Sequence, residues 1–168
     1  MQEKLISHIF KGCFIAIIYI VFNTIIDVAK LHNAQWTDFV TWLIIVGGTA
    51  TSVYLYSKNN KELHPFGALF THGFKTTAVA TCLIFIYVLL MVYIINPEVI
   101  TEKVNALVQA KRKQGAIDES KLQENIESAY KIFRLMQLAG TVMLTLVLGV
   151  IGSVIGAVIS PKKTTQII

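Results

Sequence analysis

Asn23 and Asp27 lie four residues apart, so on a helix they share a face, and Lys30 follows a turn later. An amide and a carboxylate together in an apolar helix could hold a cation or carry a proton, and an ionisable group at mid-membrane depth is functional by default. Asp27 stands near the end of its apolar run, however. Solvation at the interface or pairing with Lys30 is the simpler account. A second set is His64, His72 and Lys75. Two histidines eight residues apart with one lysine could relay protons, but without a carboxylate cluster they make a poor metal site. Interfacial polar residues on an amphipathic turn explain them as simply. Cys13 and Cys82 sit inside apolar runs, where a free cysteine behaves as a small hydrophobe. Neither their number nor their spacing suggests a metal centre or a disulfide framework. The chain has no phosphate-cradling glycine loop, no H-E-x-x-H, no G-x-S-x-G and no pair of intramembrane aspartates. The sequence therefore nominates no catalytic, cofactor-binding or metal-binding residue and reads as non-enzymatic.

These side chains are set in 168 residues that are 54% apolar and only 15% charged, with a mean hydropathy of +0.61. That composition is far from the soluble average and describes an integral membrane protein. The net charge of +5 does not imply nucleic acid, because the basic residues cluster between apolar runs rather than interleaving with aromatics. The longest uncharged run, 135–160, reaches roughly 39 Å as a helix, enough to cross a hydrocarbon core of about 30 Å. Gly152, Gly156 and Ser160 recur every four residues along it, beside a second ridge of Thr141, Thr145, Gly149, Ser153 and Ala157. Such ridges let another backbone come close.

Three more spans are expected, over about 12–29, 39–56 and 75–95. Met1 to Lys11 reads as a short amphipathic start, and Thr37 or Asp38 as the N-cap of the second span. Trp36, Tyr54 and Tyr56 read as interfacial aromatics. Within the second span Gly47 stands over Thr51 and Gly48 over Ser52, the natural counterface for the last helix. Before the third span, Pro65 suits a first helical turn, and Phe66, Phe70 and Phe74 mark an amphipathic entry segment at the headgroups. Asn96-Pro97 ends that span.

Residues 97–134 then turn charged, with acids and bases nearly balanced. Ile100, Val104, Leu107 and Val108 form one helical stripe, and Leu122, Ile126, Ala129 and Phe133 another. A turn at Lys113 to Ala116 and a capping box of Ser120 with Gln123 complete a water-exposed helical hairpin whose second arm enters the last span. The expected fold is all-α: one membrane domain, a four-helix bundle with this hairpin before the last transmembrane helix. Lys4 and Lys11 against Lys30, and Lys162 and Lys163 abutting the membrane, favour termini on the inner side.

Pro65-Phe66-Gly67-Ala-Leu-Phe70-Thr-His-Gly73-Phe74-Lys75, Ile94-Ile95-Asn96-Pro97-Glu98, and Gly149 through Ser160 ahead of the two lysines together resemble the bacterial membrane family known as domain of unknown function 4199. The resemblance implies four spans with an insert before the last and an inner-membrane location. It implies no activity.

Two roles follow from the residues. In the first, the chain is an accessory or scaffold subunit that uses Gly47, Gly48, Gly149, Gly152, Ser153 and Gly156 to pack against a second copy or a larger membrane partner, with the lipid bilayer as its medium. The alternative is a small transporter or lipid-handling protein in which Asn23, Asp27, His72 and Lys75 converge on a polar crevice. That alternative is awkward if Asp27 and His72 lie at opposite membrane faces.

Overall fold

The computed structural model describes residues 7–29, 31, 35–59, 64–113 and 122–161. Among them the elements are α1 (His8–Val28), α2 (Gln35–Asn59), α3 (Phe66–Leu90) continued by a π-helical turn (Met91–Ile95), α4 (Glu98–Lys113) and α5 (Leu122–Ile159). Four helices among the described residues are long and apolar enough to cross a membrane: α1, α2, α3 with its π turn, and α5 from Ile126. No strand occurs among the described residues. The protein is an all-α membrane protein, and α5, at 38 residues, runs unbroken from the charged stretch through the last candidate span.

The chain forms two compact units, Met1–Ile84 with Leu144–Ile168, and Phe85–Met143. In the first, α1, α2, the first part of α3 and the second part of α5 pack as a bundle. Its closest approaches are made by glycines. A Cβ on Gly152 would lie 2.6 Å from the Val46 carbonyl oxygen, and one on Gly156 would lie 2.8 Å from that of Ala50, so α5 rides directly on the backbone of α2. A Cβ on Gly149 would fall onto Thr77, and one on Gly73 would meet Ser153 and Val53. Both small ridges of α5 are thus filled by α2 and α3 of the same chain. Ser153 and Ala157 are fully buried, and Val53, Leu69 and Ala157 pack together as a core.

Hydroxyls knit this core together, as expected where lipid supplies no hydrophobic drive between helices. Thr49 Oγ1 lies 3.5 Å from Thr77 Oγ1, and Ser52 Oγ lies 3.3 Å from Thr76 Oγ1. Thr76, Thr77 and Ser153 also donate to carbonyls one turn back, at His72, Gly73 and Gly149, so their buried hydroxyls are satisfied.

In the second unit Val88, Val92, Ile100 and Val104 are buried, which places one stripe of α4 in its core. The Arg134 guanidinium of α5 stands 5.0 Å over the Tyr93 ring. Glu127 and Lys131 pair at 3.0 Å on an exposed helical face.

Several local expectations are corrected. Gly47 and Gly48 do not meet the last helix: Gly48 faces Ile15 of α1, and a Cβ on Gly47 would have nothing within 4 Å. The α2 face that meets α5 is that of Val46, Thr49, Ala50 and Val53, roughly on the other side of the helix at about 100° per residue. The expected start Met1 to Lys11 is described only from Ser7, and its last residues are the first turn of α1; Phe66 to Phe74 are the first turns of α3, continuous with the span that follows. Phe66, Phe70 and Phe74 stack along α3. α2 begins at Gln35, so Thr37 lies inside it and is buried rather than capping it. Cys82 is exposed on α3 rather than packed. Lys4, Lys30, Lys61, Lys162, Lys163, residues 114–116 of the expected turn and Ser120 of the capping box lie outside the described residues.

Gly152→Leu and Gly156→Leu should each destabilise the fold by about 1–3 kcal/mol or more, since the obstructing atoms are backbone carbonyls that no rotamer change can move. Gly140→Leu, at a position open to space, should not. Thermal unfolding of the detergent-solubilised protein reads the difference. Unaltered midpoints for both α5 variants would contradict the packing described.

Candidate functional site

At one end of the first unit the start of α1, the end of α2 and the start of α3 come together. Ser7 fixes where α1 begins: its Oγ accepts from the Ile9 N–H at 3.2 Å. That places His8 and Lys11, three residues apart, on one helix face. A Cβ on Gly12 would be 2.7 Å from the Thr76 carbonyl oxygen, so α1 lies against α3 at this level.

Lys11 is half-buried, and a charged head in such a place must find polar partners. Its Nζ donates to the Ser52 carbonyl of α2 at 3.0 Å and lies 3.4 Å from His72 Nε2 of α3. An ammonium has no acceptor lone pair, so Nζ is the donor in that pair and Nε2 accepts. The same Nζ stands 5.6 Å from the centre of the Tyr56 ring, within cation–π range. Tyr56 lies between two histidines: its ring stacks on His72 at 3.9 Å between centroids and on His64 at 5.2 Å. His8 meets His72 edge-on at 6.3 Å. His64 Nε2 is buried and has no hydrogen-bond partner among the described residues.

The cluster opens into a cleft of about 460 Å³ lined by Ser7, His8, Tyr56, Thr71, His72 and Lys75. On the α1–α2 side Lys11 also heads an apolar groove of about 340 Å³. Among the described residues no Asp or Glu lines either space. A metal ion on His72 Nε2 would face the Lys11 ammonium at close range, which disfavours it electrostatically. An anion would be attracted by both lysines and by the positive ends of α1 and α3.

His72 and Lys75, nominated by the sequence, line this cleft. Asn23 and Asp27 do not join them. They lie 12 and 16 residues beyond Lys11 on α1, about 18 Å and 24 Å along the axis. The Asn23 amide donates to the Tyr19 carbonyl of its own helix at 2.9 Å. The single crevice made of all four is therefore corrected: of these four only His72 and Lys75 line the cleft. Sequence reasoning missed Lys11, His8, Ser52 and Tyr56. The available signal was a lysine three residues after a histidine at the head of an apolar run; its partners, 41 and 61 positions away, carry no local mark.

The arrangement defines a class: a four-span membrane protein with a basic, aromatic-lined cleft at one end of its bundle. The chain belongs to the family described as protein of unknown function (DUF4199), whose model matches residues 11–162. Comparison with curated proteins and with solved structures gives no match.

Lys11 and His72 should be energetically coupled. A double-mutant cycle of Lys11→Ala and His72→Ala, read by unfolding in detergent, is expected to give an interaction of about 0.5–3 kcal/mol. The pair Asn23→Ala with His72→Ala should be additive. Additivity at Lys11 and His72 would mean the contact carries no energy.

Proposed function

We propose that this is a non-enzymatic, lipid-handling protein of a bacterial inner membrane, with its termini and the Lys11–His72 end on the cytoplasmic side. One observation carries the reading: the Lys11 ammonium, seated within an apolar helix, is held by a carbonyl and an imidazole with no described carboxylate beside it. A cation kept there without an anion of the protein's own is suited to receiving one from outside, and the surface at that depth is a lipid headgroup layer. Ser57 Oγ donates to the Pro161 carbonyl at 3.4 Å, so the end of α2 and the end of α5 share this level, and Lys11, Lys58 and Lys75 all belong to it. Basic residues gathered at one end favour the cytoplasmic side.

An accessory or scaffold role, alone or as a homo-oligomer, is the second reading. The α5 ridges are filled from within the chain, so a partner helix would have to approach elsewhere, and the uncovered Gly47 favours α2 for that approach.

Extraction in a mild detergent followed by mass determination separates these readings. Lipid handling predicts near-stoichiometric lipid retained on a monomer and recovered chemically unchanged. A stoichiometric protein partner with no retained lipid would overturn it. Orientation is read separately, with Lys58→Cys and Ala110→Cys in a background lacking Cys13 and Cys82: a membrane-impermeant thiol reagent applied to intact cells should label position 110 and spare position 58.

A further inference from the structure

The groove headed by Lys11 has the form of a seat for one acyl chain. Its walls are Phe10, Phe14 and Ile18 of α1 and Ile44 and Leu55 of α2. Its floor includes Gly47 and Gly48, and at Gly47 the missing side chain leaves open space. From Ile44 to Ser52, where Lys11 is held, the groove runs about 12 Å along α2, most of one leaflet of a hydrocarbon core of about 30 Å. Its polar groups are gathered at one end. Lys11, with Thr51 and Ser52, stands where the groove meets the headgroup level, and Lys11 touches His72, which lines the basic cleft. The Lys11–His72 contact thus stands at the border of the two spaces, one residue lining each.

We infer that this joint site binds an anionic phospholipid, its phosphate held by Lys11 with His8, His72 and Lys75 and one acyl chain lying in the α1–α2 groove. The inference rests on the lipid-handling reading and names its ligand. The observations favour an anionic lipid over a zwitterionic one by charge: Lys11 heads the groove, Lys75 lines the cleft, and among the described residues no carboxylate lines either space to complement a choline or ethanolamine cation. A lysine binds phosphate as a point charge. Among the described residues two of the three Lys11 N–H donors have partners, and the third is available to a phosphate oxygen. The groove selects a lipid over free phosphate by its apolar walls and its length.

The test measures lipid bound to the full-length protein in detergent by native mass spectrometry. The probes are phosphatidylglycerol, phosphatidylcholine, dihexanoyl phosphatidylglycerol and inorganic phosphate. Phosphatidylglycerol should be retained at least about tenfold better than phosphatidylcholine, the scale of one hydrogen bond to a charged group, and Lys11→Met should remove that preference. Gly47→Leu, which fits without collision, should fill the groove and weaken the long-chain lipid about tenfold while leaving the dihexanoyl lipid unchanged. Gly140→Leu should change neither. Equal retention of both headgroups, or long-chain binding indifferent to Gly47→Leu, would overturn this inference while leaving lipid handling in place. Inorganic phosphate competing as well as the long-chain lipid would also overturn it, by showing an anion site without an acyl seat. Loss of a dimer on Gly47→Leu would assign the groove to a second copy instead. Retention of no lipid at all would remove the inference and the lipid-handling reading together. If Lys11→Met fails to fold, Lys75→Met, at an exposed position in the cleft, takes its place with the same expected loss of headgroup preference.

Discussion

The bundle depends on how closely α5 approaches α2. At Gly152 and Gly156, one turn apart, there is no room for even a methyl group between α5 and the carbonyl oxygens of Val46 and Ala50. In lipid, apolar surface gains little by leaving its surroundings, so helices are held by van der Waals contact and by hydrogen bonds made at short range. Close approach supplies both: it brings backbones into contact, and it places Thr49 against Thr77 and Ser52 against Thr76. α2, α3 and α5 thus form the tight part of the first unit.

What α1 does follows from that tightness. It cannot enter between the other three helices and lies outside them, held against α3 at Gly12 and against α2 at Ile15 and Gly48. Below the Gly12 contact its large side chains and the bare stretch of α2 at Gly47 leave an apolar groove between the two helices. Above it, Lys11 reaches past α1's own surface to a carbonyl of α2 and an imidazole of α3. The same ammonium closes the contact among three helices and supplies the positive charge at the end of the groove. Structure and candidate function meet at this residue, which is why a single position can bear on stability and on ligand preference.

The polar character of that end is chemically one-sided. Lysines, histidines, a tyrosine and two helix N-termini converge, and the described acidic groups lie elsewhere: Asp27 far down α1, Asp38 in the first turn of α2, Glu98 and Glu127 in the second unit. On the proposed reading, an excess of donors and positive charge at the level of lipid headgroups is a standing attraction for phosphate. The stacking of Tyr56 between His64 and His72 holds the imidazoles in place around the cleft.

The sequence by itself determined the number of spans, the charged excursion before the last one, and the small ridges of α5, because hydrophobic length and residue size are local quantities readable from a window of the chain. It also singled out His72 and Lys75, which line one cleft. The partners of those ridges and residues were decided only by tertiary structure. Gly47 and Gly48 have the same composition as a packing face whichever helix covers them, and their side of α2 was settled by the competing fit of Val46, Thr49, Ala50 and Val53 against α5. Lys11 reads in sequence as a flanking charge that sets orientation, since nothing within a helical turn marks it otherwise. Its contacts with Ser52 and His72 exist because three helix ends meet at one level, and that meeting depends on the register between helices, which no single segment encodes.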